Sequence, residues 1–211
     1  MSFDIQFATM LEFATRGTND IALKSRQIAG NLKAGNAKII ERLIYHIKQL
    51  PEGHPIKQMF SGDSILVPTP RSAPIVDDGL WPTKVLCNHL VAAGLGRSVQ
   101  EFLIREYKVP KSSSYSNADQ RPSCNTHFKS LSVVPPEAFI EKITLVDDVF
   151  TLGRTSCACV RRLTEIYPDA DISIFSAMRT RGFVKELEEI VKPSYSTMSY
   201  LSENDRVRLP D

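Results

Sequence analysis

The segment Ile143-Thr-Leu-Val-Asp-Asp-Val-Phe-Thr-Leu-Gly-Arg-Thr155 decides the fold that the sequence predicts. It begins with an apolar run typical of a buried strand, and two adjacent carboxylates, Asp147 and Asp148, close that run. A turn rich in threonine and glycine follows, and residues 156–166 have the pattern of a helix. The order strand, loop, helix predicts an α/β architecture with the acids and the turn at one edge of a sheet.

The turn after the acids carries groups that suit a phosphate. Thr151, Gly153 and Thr155 stand at the start of the predicted helix, whose first amides have no partners inside the helix. Thr155 or Ser156 is predicted to cap that helix. Exposed amides, hydroxyl groups and the positive end of the helix dipole together favour an anion. An acidic pair alone most often marks a solvated turn, so it is the ordered combination that indicates a binding site.

This combination resembles the phosphoribosyl-pyrophosphate (PRPP) loop of type I phosphoribosyltransferases. In that family the acidic pair contacts the ribose hydroxyls, and a Thr-x-Gly-x-Thr loop holds the 5′-phosphate. The resemblance implies that Asp147 and Asp148 bind the ribose and a magnesium ion. It implies PRPP or a nucleoside 5′-monophosphate as the ligand, with the phosphate held by Thr151, Leu152, Gly153, Arg154 and Thr155. Phe150 and Leu152 are bulkier than the residues usual at these positions.

Length and composition are those of an ordinary globular protein. The 211 residues fit one α/β domain with an accessory part, and 42% of them are apolar and 24% charged. A net charge of +2 gives no general attraction to nucleic acid, and no apolar run has membrane-spanning length. The first residues lack a signal-peptide pattern, which predicts a cytoplasmic protein. The four cysteines lack the spacing of a zinc site, and Cys157 and Cys159 are predicted to be buried thiols.

Residues 1–60 are predicted to form a helical accessory region, a hood above the ligand edge. Asn19 is expected to cap a helix through Leu32, and Asn36 a second helix through Leu50. The second helix has one apolar face, made by Ile39, Ile40, Leu43, Ile44, Ile47 and Leu50. A DNA-binding helix-turn-helix is the alternative, but no basic recognition face supports it. The core is predicted to span residues 61–182, and residues 183–211 a C-terminal helix and a polar tail.

A second loop is expected at the same edge of the sheet. The strand predicted at residues 64–68 runs into Thr69-Pro-Arg-Ser-Ala-Pro74, which is too rich in proline to continue as an interior strand. Ligands of open α/β sheets collect where such strands end. The loop resembles the pyrophosphate loop of type I phosphoribosyltransferases, which implies that Arg71 and Ser72 bind the ligand, with Arg71 as a bidentate charge. The alternative is an ordinary surface loop.

The segment from Tyr107 to Phe128 follows a strand predicted at residues 101–105. It shows no periodicity, which indicates either a lid or a hairpin with mobile tips. Type I phosphoribosyltransferases have a flexible loop here, and the resemblance implies that Lys108 contacts the leaving group. The layout of basic residues is most similar to the ComF/amidophosphoribosyltransferase-like branch without its zinc ribbon: Arg105, Lys108, Lys111, Arg121 and His127. A solvated basic loop is the alternative.

Strands near residues 64–68, 101–105, 143–147 and 171–177 predict a doubly wound parallel sheet, and the resemblance predicts a type I phosphoribosyltransferase-like fold. It implies an enzyme that transfers the phosphoribosyl group to a base or amine with release of pyrophosphate. The catalytic candidates are Asp147, Asp148, Arg71 and Lys108, with Mg²⁺ as cofactor. The 6-oxopurine branch has an aspartate where Thr151 stands, which disfavours purine salvage. A non-catalytic PRPP-binding regulator and a ComF-like protein connected with DNA uptake are the alternatives, and a homo-oligomer is compatible with each.

Overall fold

The structure is a computed structural model that describes residues 2–75, 79–111, 114–115, 117–134, 139–182 and 186–210. The strands are β1 (Ser2–Phe13), β2 (Ile65–Pro68), β3 (Ser98–Val99), β4 (Leu103–Arg105), β5 (Leu131–Val133), β6 (Lys142–Phe150), β7 (Asp171–Thr180), β8 (Val191–Leu201) and β9 (Arg206–Arg208). The helices are α1 (Asp20–Lys33), α2 (Ala37–Lys48), α3 (Pro55–Met59), α4 (Pro82–Ala92), α5 (Cys124–Lys129) and α6 (Arg154–Ile166).

The main sheet has seven strands in the order β3-β2-β6-β7-β1-β8-β9. From β3 to β1 neighbouring strands are parallel, whereas β8 and β9 are added antiparallel. Helices α1 to α4 pack in the core on one face, and α5 and α6 pack in the core on the other. The predicted class, an α/β protein with a doubly wound and mostly parallel sheet, is confirmed.

Three of the four predicted strands lie side by side in this sheet as β2, β6 and β7. The strand predicted at residues 101–105 is wrong as a member of it. Ser98 and Val99 already pair with the outer side of β2, and the chain then leaves the sheet. Residues 103–105 instead form β4, which pairs antiparallel with β5 in a separate two-stranded sheet.

The prediction that residues 1–60 are helical is wrong for β1. This strand pairs parallel with β7 and antiparallel with β8, so it lies inside the sheet. Ile5 and Phe7 pack in the core on one face, and Ala8 and Met10 pack in the core on the other. A strand that is buried on both faces reads as a nearly continuous apolar run, and its spacing also fits a helix.

The two helices predicted after β1 are confirmed. The Asn19 side chain accepts a hydrogen bond of 2.8 Å from the Ala22 amide and caps α1. Asn36 caps α2 in the same way, with 3.4 Å to the Ile39 amide. The apolar face of α2 packs in the same core as Ala8 and Met10 of β1, so these helices cover one face of the sheet.

The prediction of a C-terminal helix and polar tail is also wrong. Residues 183–185 lie outside the described residues, residues 186–190 are not helical, and β8 and β9 follow. Met198 and Tyr200 alternate with serines along β8 and are buried, while Tyr195 stays exposed. The serines make the segment look polar, although its alternation is that of a strand with one buried face.

The four cysteines are buried free thiols, as expected for Cys157 and Cys159. Both of these lie in α6 and pack in the core against β6. Among the described residues, no helix has the length and apolar character needed to cross a membrane.

Candidate functional site

Asp147 and Asp148 lie within β6, two residues before the strand ends. The sequence predicts that the strand ends at Asp147 and Asp148, but pairing with β7 continues to Phe150. Val149 and Phe150 favour extended backbone, and the Phe150 ring is buried in a stack on Phe7 with 4.8 Å between the ring centroids. The packing of Phe150 therefore fixes the point at which the chain turns towards α6.

Gly153 makes the turn between β6 and α6. Its φ of 66° is in the left-handed region, and a Cβ there would lie 2.8 Å from Phe150 Cζ and 3.1 Å from Met198 Sδ. Glycine is the residue that tolerates both the positive φ and the lack of space for a Cβ. Gly153 is also the N-cap residue of α6, without a side-chain cap. The predicted cap at Thr155 or Ser156 is wrong, because both residues lie within the first turn of the helix.

The first turn of α6 holds one of the two acids. Ser156 Oγ donates a hydrogen bond of 2.9 Å to Asp147, and the Asp148 amide donates another of 2.9 Å to the same carboxylate. Burial and the neighbouring Asp148 carboxylate nevertheless raise the pKa of Asp147 to about 7, because these effects outweigh the hydrogen bonds. At neutral pH this carboxyl group is close to its titration midpoint, so a bound cation would easily ionise it.

The loop hydroxyls point to different partners. Thr151 Oγ1 lies 2.8 Å from Thr180 Oγ1 of β7, and Thr155 Oγ1 lies 3.3 Å from His127 Nε2 of α5. Arg154 Nη1 donates to the Arg121 carbonyl oxygen at 2.9 Å. The loop is thus tied to β7, to α5 and to the segment before α5.

A cavity of about 100 Å³ lies at this turn. Its walls are Arg121, Asp147, Val149, Phe150, Thr151, Leu152, Gly153, Arg154, Thr155 and Ser156. Since about 10–15 Å³ of such a volume holds one water molecule, the cavity has room for a phosphate group. The first amides of α6 have no partners inside the helix, and Arg121 and Arg154 add positive charge, so the cavity suits an anion.

The loop after β2 reaches the same edge, because β2 pairs with β6 and the Thr69 amide donates to the Val146 carbonyl oxygen at 2.9 Å. The Arg71 side chain is exposed, and within the described ranges it makes no hydrogen bond or ion pair. Its carbonyl oxygen accepts from Arg105 Nε at 2.9 Å, and that of Ser72 accepts from the Val109 amide at 2.7 Å. The main chain of this loop is fixed while its cation extends into solvent.

The segment from 107 to 128 has more structure than the sequence predicts. It lies between the antiparallel strands β4 and β5, as in the hairpin alternative, and it contains a 3-10 turn (Ala118–Gln120) and most of α5. Residues 112, 113 and 116 lie outside the described residues. Lys108 is exposed and does not line the cavity, so its role and the lid remain predictions.

The sequence did not predict that Arg105 is buried. It showed Arg105 only as one of several basic residues near the segment from 107 to 128. The side chain is 4% exposed and donates to Ser130, to the Arg71 carbonyl oxygen at 2.9 Å and to the His127 carbonyl oxygen at 3.3 Å. It therefore links the β2 loop to α5. The only signal in the sequence is a charge that ends an apolar run, Phe102-Leu-Ile-Arg105.

Comparison with known proteins adds little. No family model and no curated protein matches the chain. A solved structure of a hypoxanthine phosphoribosyltransferase from Staphylococcus aureus matches with 9% sequence identity over 79% of this chain and 88% of that one, with a TM-score of 0.34. A likeness this weak carries no argument about fold or function. The function must be argued from the site.

Proposed function

We propose that the protein binds PRPP or a nucleoside 5′-monophosphate at the carboxyl end of β6 and acts as a phosphoribosyltransferase. One observation carries the proposal: Asp147 forms part of the wall of a cavity at the start of α6 that has room for a phosphate. A sugar phosphate presents a phosphate and vicinal hydroxyls side by side. The cavity offers a place for the phosphate, and Asp147 in its wall, with Asp148 next in sequence, offers acceptors for the hydroxyl groups.

The reaction breaks the bond between the anomeric carbon of PRPP and a pyrophosphate oxygen, and a base or amine forms the new bond to that carbon. The sugar gains positive charge in an oxocarbenium-like transition state. Asp147 and Asp148 favour that charge as carboxylates, and a cation bound beside Asp147 would lower the pKa of its carboxyl group so that it is ionised before the reaction begins. Little proton transfer is needed from the protein.

Magnesium fits this site as an ion that arrives with the ligand. The described residues include no group of three or more histidine, cysteine or acidic side chains that could hold a metal. Mg²⁺ keeps several waters and is usually bound by one or two carboxylates together with substrate phosphates. Asp147 and Asp148 would supply those carboxylates. When bound, the ion neutralises charge on pyrophosphate.

The leaving pyrophosphate needs positive charge from the protein. We assign this to Arg71 and Lys108, which are both exposed and can move. Ser72 belongs to the same loop, and its carbonyl oxygen is already bonded to Val109. Arg105 holds the main chain of the loop in place, so that only the Arg71 side chain has to become ordered when the ligand binds.

Titration calorimetry with Mg²⁺ and PRPP tests the proposal. We expect a dissociation constant in the micromolar range, about −8 kcal/mol. Asp147→Asn combined with Asp148→Asn should weaken binding at least tenfold, about 1.4 kcal/mol. The matched control is Asp169→Asn with Asp171→Asn, which removes two exposed carboxylates elsewhere and should bind as the unmodified protein does. Absence of heat at millimolar ligand would overturn the proposal.

Release of pyrophosphate decides whether the protein is an enzyme. Candidate bases and amines are screened with PRPP and Mg²⁺, and pyrophosphate is measured. Release that depends on one acceptor and is lost in the double aspartate variant supports a transferase. Tight PRPP binding without release for any acceptor would indicate a non-catalytic PRPP-binding protein.

A further inference from the structure

His127 lies behind the phosphate loop, on α5 rather than in the loop itself. The side chain is 3% exposed, and Nε2 lies 3.3 Å from Thr155 Oγ1. The carbonyl oxygen of His127 accepts from Arg105. The ring does not line the cavity, so a bound phosphate would meet the Thr155 hydroxyl and not the imidazole.

The imidazole is neutral at pH 7. Burial and the positive charges of Arg105 on β4 and Arg154 on α6 lower the pKa of His127 to about 4. A neutral imidazole has one nitrogen that donates and one that accepts. Within the described residues, Nδ1 is buried and has no hydrogen-bond partner, so the ring makes its side-chain hydrogen bond to Thr155 through Nε2.

The hydroxyl of Thr155 has a single proton to give. If the hydroxyl donates it to Nε2, the Thr155 oxygen offers only lone pairs to the cavity, and lone pairs repel an anion. If Nε2 carries the imidazole proton and donates to Oγ1, the hydroxyl proton is available for a phosphate oxygen. A phosphate that accepts a hydrogen bond from the Thr155 hydroxyl, while that hydroxyl keeps its contact with the imidazole, therefore requires the Nε2–H tautomer. In that tautomer the unpartnered Nδ1 is an acceptor, which costs less than a buried N–H without a partner.

We propose that His127 is a positioning residue that donates Nε2–H to Thr155 Oγ1 and so directs the Thr155 hydroxyl proton onto the bound phosphate. The inference rests on the proposed function and adds a residue to its phosphate site. It also means that α5, at the end of the segment between β4 and β5, takes part in phosphate recognition without touching the ligand.

Two substitutions and one probe test this. His127→Leu removes the donor at similar size, and His127→Gln keeps an amide donor near the Nε2 position. The probe is ribose 5-phosphate, with ribose as the control ligand that lacks the phosphate. We expect His127→Leu to lower the affinity for ribose 5-phosphate by about fivefold to tenfold, to leave ribose unaffected, and His127→Gln to recover most of the loss.

A double-mutant cycle with Thr155→Val separates positioning from general damage. If His127 acts through the hydroxyl, His127→Leu should have no further effect once the hydroxyl is gone. Independent losses that multiply would overturn the proposal. The tautomer gives a second measurement that does not depend on the variants: imidazole nitrogen NMR of the unmodified protein should show Nε2–H when ribose 5-phosphate is bound, and Nδ1–H would overturn it.

The two proposals fail in different ways. If the unmodified protein binds neither ribose 5-phosphate nor Mg²⁺ with PRPP, the proposed function is wrong and this inference falls with it. If the unmodified protein binds and His127→Leu binds equally well, only the role of His127 is wrong. If His127→Leu does not fold, the glutamine variant and the tautomer measurement still decide.

Discussion

The loops after β2 and β6 reach the same edge of the sheet, but the protein holds them differently. In the β6 loop the side chains are tied down: Ser156 bonds to Asp147 at 2.9 Å, and Thr151 bonds to Thr180 at 2.8 Å. In the β2 loop the main chain is tied down by Arg105, while the Arg71 side chain stays exposed.

This difference separates two ways of binding an anion. A loop whose donors are already fixed loses little conformational entropy when a ligand arrives, and it selects by shape. An exposed arginine can reach many positions, and it loses up to about 2 kcal/mol of side-chain entropy when it is ordered. Under the proposed function, the 5′-phosphate is recognised by geometry and the pyrophosphate by charge.

The largest effect should come from breaking the geometry of the β6 loop. Gly153→Ala places a Cβ 2.8 Å from Phe150 Cζ at a positive φ, and we expect a loss of about 3–4 kcal/mol of unfolding free energy. Urea denaturation measures it. Gly53→Ala is the matched control, since Gly53 has a φ of 79° and a Cβ added there would meet none of the described atoms within 4 Å beyond its chain neighbours. This variant should lose about 1–2 kcal/mol of unfolding free energy. Equal losses would show that the contact with Phe150 is unimportant.

The next effect should come from removing the anchor of the β2 loop. Arg105→Leu removes the donor of the Arg71 carbonyl oxygen and the hydrogen bonds of the guanidinium group to Ser130 and to the His127 carbonyl oxygen, which keeps the Ser130 hydroxyl as a donor. Because hydrogen bonds of a buried charged group are lost, we expect a loss of about 2–3 kcal/mol of unfolding free energy. Arg206→Leu, at an exposed position on the edge strand β9, should change the unfolding free energy by less than about 0.5 kcal/mol. A neutral Arg105→Leu would mean that the loop is held by other contacts.

A smaller effect, of opposite sign, is expected at the acid of the β6 loop. The pKa of Asp147 is raised to about 7 in the folded protein, so the folded state favours the protonated form, and stability is lost as the pH rises from about 4 through 7. Asp147→Asn imitates the protonated form. It should raise the unfolding free energy by about 2 kcal/mol at pH 8, and by much less at pH 4.5.

Thermal and urea unfolding at the two pH values measure this effect. Asp169→Asn removes an exposed carboxylate and serves as the control, with no gain expected at either pH. A loss of stability in Asp147→Asn at pH 8 would show that the ionised carboxylate supports the fold.

The smallest effect on folding should come from the exposed cation of the β2 loop. Arg71→Gln removes a charge that makes no hydrogen bond or ion pair within the described residues, so unfolding should change by less than about 0.5 kcal/mol. Affinity for Mg²⁺ with PRPP should nevertheless fall about tenfold, or 1.4 kcal/mol, whereas affinity for ribose 5-phosphate should stay the same. If Arg71→Gln lowered the affinity for both ligands equally, the two loops would not recognise the 5′-phosphate and the pyrophosphate separately.

Local patterns predicted three strands of the sheet and the starts of two helices correctly. The strands β2, β6 and β7 and the caps at Asn19 and Asn36 depend on nearby residues, and all of them are confirmed. Two of the failures, β1 and β8, are strands that pair with each other across almost the whole chain. The apolar residues of β1 fit a helical spacing as well as a strand that is buried on both faces, and only the partners decide between them.

The residues of the candidate site also fall into those that local sequence predicts and those that it does not. The acids, Gly153 and the start of α6 are adjacent in sequence, so their juxtaposition follows from the order of the residues. Arg105 and His127 reach the two loops through tertiary packing, and nothing local shows that their side chains are buried. Sequence alone therefore predicts which groups line the candidate cavity better than it predicts which groups hold its loops in place.

The place of β1 has a consequence for the way the chain assembles. Phe7 stands opposite Ile174 on one side and Ser196 on the other, so both neighbours of this strand are distant in sequence. Such pairings are slow to form, because a long stretch of chain must close before they contribute any stability. A nascent chain that has reached only α6 already contains every acid and hydroxyl of the β6 loop, yet β1 has no partner on either side. The parts of the site exist before the sheet that aligns them.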